Sequence, residues 1–210
     1  MSRRASTSRA VVVPMTPLLV RSESGLADPV AELREAAVAA VRDLAADVDR
    51  IVALCPVGLV GAPSEYWWAS GRPGTGPLSV QVARLLLELA GVEADTVEIV
   101  RRGDDDAAPG APAADIGLLV LGDGSARRGQ AAPGFIDERA FPFDDLMADA
   151  LEGGDGDALA RLDQDLAAQL MVTGRRTFAD LGRLVPRPSE AELIFRDDPF
   201  GMTYFVASWG

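Results

Sequence analysis

"IGLLVLGDGSAR", residues 116 to 127, is the stretch on which the fold turns. Ile116, Leu118, Leu119, Val120 and Leu121 make an apolar run with no polar break, closed by Gly122 and Gly124. A run that short and that uniformly apolar predicts a central strand with both faces covered, as parallel sheets require. The loop after it presents Asp123, Ser125, Arg127 and Arg128.

Working outward, "AVVV" (residues 10–13) reads as a buried strand ending at Pro14, and "RIVALC" (50–55) as a second strand. Between them "DPVAELREAAVAAVRDLAAD" (28–47) carries Val30, Leu33, Ala37, Val41 and Leu44 on one helical stripe. Asp28 fits an N-cap and Pro29 the first helical position, where its missing N–H costs nothing. Strand, helix, strand at this spacing predicts a right-handed βαβ unit with parallel strands. Residues 56–77 read as a long functional loop holding Tyr66, Trp67 and Trp68. A helix over 78–91 stopped by Gly91 follows, then a strand at 96–100 and an exposed connection, "RRGDDDAAPGAPAAD".

Beyond the central strand the pattern predicts helices over 142–154, 157–171 and 176–185, then a hairpin of "AELIFR" and "MTYFVASW" around "DDPFG". The class is therefore α/β: a single-domain sandwich with a mixed, largely parallel sheet, flanking helices and a C-terminal β-hairpin. Residues 10–210 form that domain. Residues 1–9 read as a disordered arm, since Pro14 and Pro17 break the signal-peptide-like start.

Composition narrows the function. The formal charge is −12 over 210 residues, the wrong sign for a nucleic-acid backbone or an anionic membrane. The chain has no histidine and no lysine, which removes Schiff-base and P-loop lysines. One cysteine, Cys55, forms no intrachain disulfide and suits a cytoplasmic protein. A zinc site of ordinary ligands has no donors here.

The loop at 122–128 is not a nucleophile elbow, because Asp123 and Arg127 stand where glycines are needed around Ser125. Nor does it supply the third glycine of a dinucleotide fingerprint. Two readings stay open: a tight turn at a strand end, or a small-ligand site in which Arg127 grips a carboxylate in bidentate fashion. Asp197–Asp198 reads as a turn doublet ahead of Pro199, and Trp67 as a pocket wall or a cap on the core.

The segments "GDGSARRGQAAPGFIDERAFPFDDLMADAL" (122–151), "GDGDALARLDQDLAAQL" (154–170) and "PFGMTYFVASW" (199–209) resemble, in order and spacing, the second half of class III extradiol ring-cleavage dioxygenases. The likeness is to proteins such as the beta subunit of protocatechuate 4,5-dioxygenase. It implies an α/β fold in which two histidines and a carboxylate hold Fe(II) and a third histidine is the acid–base catalyst. This chain departs from the pattern at each histidine. "PMTP" puts Met15 at the first ligand position, "CPVG" puts Val57 at the second, and "GDGSAR" puts Ala126 at the acid–base position. Asp197 is the one remnant ligand the resemblance suggests.

The expectation is thus a relative without the Fe(II) site and without catalysis, needing no cofactor. It would act as a subunit that binds a small anionic or aromatic molecule or a partner, alone or in a homo- or hetero-oligomer. Its pocket would be lined by Met15, Val57, Trp67, Asp123, Ser125, Arg127 and Asp197. The alternative is an active enzyme with a carboxylate-only metal site (Asp123, Asp197, Asp198) or with histidines from another subunit.

Overall fold

A computed structural model describes residues 9–19, 28–57, 77–104, 106–107, 109–110 and 116–210. The arm at 1–8, most of the loop at 58–76 with Trp67, and part of the 101–115 connection lie outside the described residues.

Six strands form one sheet in the order β3-β2-β4-β1-β6-β5. They are β1 (Ala10–Val13), β2 (Arg50–Pro56), β3 (Val97–Arg102), β4 (Ile116–Leu121), β5 (Ala191–Asp197) and β6 (Tyr204–Trp209). The first four run parallel, and β6 and β5 close the sheet as an antiparallel hairpin. The fold class read from the sequence is the one observed. One detail differs: β1 and β2 are parallel but not neighbours, because β4 lies between them. The apolar run of β4 takes the most buried slot, which leaves the less apolar β3 at an edge.

The helices are α1 (Ala31–Asp47), α2 (Leu78–Ala90), α3 (Ala140–Gly153), α4 (Gly156–Ala160), α5 (Gln164–Gln169) and α6 (Arg175–Leu184). Alternate strand residues serve two cores. Val11, Val13, Ile51, Ala53, Leu119 and Leu121 pack on α1 and α2. Val12, Leu54, Leu118 and Val120 pack on α3 to α6, where Phe178 meets Phe205 edge to face at 6.4 Å. Both faces of the central strands are covered, so neither alternation partner is polar. Among the described residues no helix is long and apolar enough to cross a membrane.

Two helix boundaries correct the sequence reading. Asp28 is not the cap of α1: its φ is +35°, and its carboxylate takes the Arg34 guanidinium at 2.6 and 3.0 Å. Arg34 also donates to the Leu18 and Leu19 carbonyls, so the pair ties the β1–α1 connection to the helix. The helix expected over 157–171 is two short helices, α4 and α5. Asp163 breaks it by accepting the Asp165 and Leu166 N–H groups at 3.1 and 2.9 Å, an N-cap that outcompetes helix continuation. Gly91 ends α2 in the left-handed region (φ +79°), as its position predicts.

Candidate functional site at the carboxyl edge of the sheet

β1 and β4 are parallel neighbours whose chains depart to opposite faces: β1 leads to α1, on the α1–α2 side, and β4 leads to α3, on the other. In open α/β sheets, ligands bind at such a switch point, outside the carboxyl ends of the strands. The chain closes that junction tightly. Gly122 donates its N–H to the Val13 carbonyl at 3.1 Å, and Thr177 donates its hydroxyl to the Leu121 carbonyl at 2.7 Å. Gly122 also lies so close to the start of α6 that a Cβ there would come within 2.4 Å of the Gly174 Cα.

Asp123 sits at the centre. Met15 donates its backbone N–H to Asp123 Oδ1 at 3.1 Å, which links the ends of β1 and β4. The Thr173 hydroxyl lies 3.5 Å from Oδ2, and the Asp123 N–H donates back to Thr173 Oγ1 at 3.2 Å. The side chain is buried at 3% exposure. Burial pushes its pKa up to about 7, against the smaller opposing pull of the Met15 N–H and the Thr173 hydroxyl. Tyr204, at the start of β6, is buried beside it. Burial first, and then the charge of Asp123, push the phenol up to about 12, while Thr16, donating to Tyr204 Oη at 3.3 Å, pulls the other way.

A second buried acid, Asp144 on α3, organises the loop after Asp123. It accepts the Ser125 N–H at 2.9 Å on Oδ1 and the Thr203 hydroxyl at 2.5 Å on Oδ2. Burial raises its pKa; Thr203, Ser125, Arg128 and Arg196 oppose that rise. Arg128 Nη1 is 3.6 Å from Oδ2, its Nε holds Asp198, and its guanidinium lies 4.5 Å over the Phe141 ring. Asp144 therefore fixes the loop, the hairpin turn and α3 against one another.

The expected site residues divide into those at the junction and those elsewhere. Met15, Asp123, Ser125 and Ala126 come together there, all buried. Ser125 is a strut, donating its hydroxyl to the Leu170 carbonyl at 2.9 Å and accepting the Arg127 N–H at 3.1 Å. Ala126 is fully buried and donates its N–H to the same carbonyl at 3.2 Å. Val57 follows β2 at the same edge, but is 44% exposed.

Arg127 turns away from the junction. Its guanidinium donates to the carbonyls of Gln169 (3.0 Å) and Phe135 (3.5 Å), so it is a brace and not a free grip for a carboxylate. Asp197 ends β5 and lines a hollow of about 290 Å³ with Asp28, Val30, Leu33, Phe195 and Pro199. Asp198 belongs to Arg128. Asp197 accepts the Asp198 N–H at 2.8 Å, Asp123 has Met15 and Thr173, and among the described residues no three acidic, cysteine or histidine side chains cluster to hold a metal ion.

The sequence reading missed Asp144, Tyr204, Thr16 and Thr173. Asp144 left a signal: it shares the buried face of α3 with Phe143, Met147, Ala148 and Leu151, where a charged residue is out of place. Tyr204 and the two threonines left none, because their roles come from contacts across the sheet. No protein-family model matches the chain, and no curated protein matches it.

Proposed function

We propose that the chain is a non-catalytic relative of the class III extradiol dioxygenases that binds a small aromatic molecule at the carboxyl edge of the sheet, outside the closed β1–β4 junction. The observation that carries the reading is the bond from the Met15 N–H to Asp123. It joins the first position where the resemblance expects an iron ligand to the loop where it expects the acid–base histidine. Val57, at the second ligand position, follows the adjacent strand at the same edge.

The residues present do not fit ferrous iron. A facial triad needs two imidazoles and a carboxylate. Met15 offers a thioether, Val57 offers only hydrocarbon, and Asp197 lies on the outer hairpin strand. Asp123, the carboxylate at the junction, is engaged by Met15 and Thr173. Ala126 has no proton to transfer where the family's acid–base group would stand.

Metal analysis, an anaerobic calorimetric titration with catechol and an aerobic ring-opening assay on the purified chain test the reading together. The expected result is saturable catechol binding with no stoichiometric transition metal and no ring cleavage. A fully occupied iron centre in the chain alone, opening catechols, overturns it.

A further inference from the structure

We infer that the groove between α3 and α4 docks a basic segment of a partner protein, one that carries an apolar side chain between its cations. The groove lies on the solvent side of α3, so the inference stands apart from the small-molecule reading of the carboxyl edge.

α3 has two stripes. Ala140, Phe143, Met147, Ala148 and Leu151 are buried on the inner one. Pro142, Asp145, Leu146 and Asp149 follow the same helical spacing on the outer one and are exposed. A solvent stripe is ordinarily polar, but here Pro142 and Leu146 interrupt it, and Leu146 is 49% exposed. With Ala150, and with Asp155 and Ala158 from α4 and its cap, these residues line a groove of about 450 Å³. Its floor is apolar, and its charged walls are aspartates alone.

Two of the aspartates are partly committed. Asp145 pairs with Arg196 on β5, and Asp155 accepts the Ala158 N–H on Oδ1 at 2.8 Å. Among the described residues Asp149 has neither a hydrogen bond nor an ion pair. Asp145 and Asp149 stand four residues apart, a like-charge spacing that weakens a helix. The last turn of α3 has no basic residue, so nothing there offsets Asp149 and Glu152 against the helix dipole. These acids therefore do not serve the helix that carries them, and a cation laid along the groove relieves both repulsions.

The occupant this chemistry fits has arginine or lysine on either side of an aliphatic side chain. The aliphatic group covers Leu146 and Ala150, and the cations meet Asp149 and the second oxygen of Asp155. A chain of net charge −12 attracts such a segment at long range and repels a second copy of itself. Each exposed ion pair contributes little, so binding is weak and salt-sensitive.

Fluorescence anisotropy on the full chain tests this with a labelled synthetic peptide of about ten residues in which arginine and leucine alternate. A peptide of equal charge in which serine replaces leucine is the control. The arginine–leucine peptide should bind saturably, about fivefold tighter than the control. Leu146→Gln should remove that preference, and Asp149→Asn should weaken binding about threefold. Asp43→Asn, which takes the same charge from an exposed position on α1, should leave binding unchanged. All three replaced side chains are exposed, so the variants should fold as the parent does. Equal binding of the two peptides, an equal loss in the Asp43 variant, or no binding at all overturns the inference. Binding that emerges only when Arg3 and Arg4 are replaced by glutamine assigns the groove to the start of this same chain and overturns the assignment to a partner.

Discussion

Two junctions of this molecule bury an aspartate at the end of a parallel strand and treat it in opposite ways. Where β3 meets α6, Asp180 is fully buried between Arg102, itself 6% exposed, and Arg183. Arg102 also donates to the Ala107 carbonyl, so the pair pins the chain as it leaves the sheet. Where β4 meets β1, Asp123 is equally buried but held by one amide and one hydroxyl. The first charge is needed as long as Arg102 is buried beside it. The second is a carboxylate whose burial raises its pKa, so its charged form weakens the fold rather than holding it. Two buried carboxylates at one edge of a sheet thus differ in sign of contribution because one has a guanidinium and the other has neutral donors.

The largest effect expected from this contrast is at Asp180. Asp180→Ala takes from buried Arg102 its close buried partner and leaves it the half-exposed Asp106 carboxylate at 3.8 Å and the Ala107 carbonyl, which should cost about 3 kcal/mol in urea unfolding at neutral pH. Replacing both members by Arg102→Met and Asp180→Leu should recover most of the loss, since an apolar pair carries no desolvation penalty. A single variant within about 0.5 kcal/mol of the parent, the range of ordinary surface substitutions, would erase the distinction between the two junctions.

At Asp123 the sign reverses. Its folded pKa, about 7, lies above the 3.8 of a free aspartate. Over that window the folded protein holds a proton that the unfolded chain releases, so stability falls as the pH rises from about 4 to about 7 and stays low above it. Asp123→Asn keeps the shape and removes the charge. It should stabilise the protein by roughly 2–4 kcal/mol at pH values well above 7 and by almost nothing near pH 4. Urea unfolding across that range measures it; an Asn variant less stable than the parent at high pH would place Asp123 with Asp180 as a structural acid.

How much of this was legible in the sequence follows from range. The run 116–121, the stripe of α1 and the stop of α2 at Gly91 are local signals, and they located the central strand and the two helices correctly. Asp123 could be singled out because it follows a strand within a glycine turn. What periodicity cannot carry is partnership. Arg127 looked like a ligand grip, yet its partners are carbonyls 8 and 42 residues away. Tyr204 and Thr16 are separated by 188 residues, and Asp123 and Met15 by 108, so nothing in either segment announces the contact. The break at Asp163 was missed for a different reason: an aspartate inside an apolar helical pattern reads equally well as a solvent-facing residue or as a cap.

A smaller set of changes sharpens the comparison at the positions where the resemblance expects histidines. Ala126 is fully buried with its N–H on the Leu170 carbonyl, while Val57 is 44% exposed at the same edge. An imidazole at 126 has to displace packed neighbours and bury a polar ring, so Ala126→His should cost about 1–3 kcal/mol. Val57→His projects from the edge and should change stability by less than about 0.5 kcal/mol. Met15→His removes a buried thioether at 5% exposure and falls between them. Urea unfolding without metal ranks the three, and the combined variant should be less stable than the parent. If it is not, the apolar residues at these positions are not what stabilises the junction in the absence of a metal, and the case for a chain adapted to work without iron loses its energetic footing.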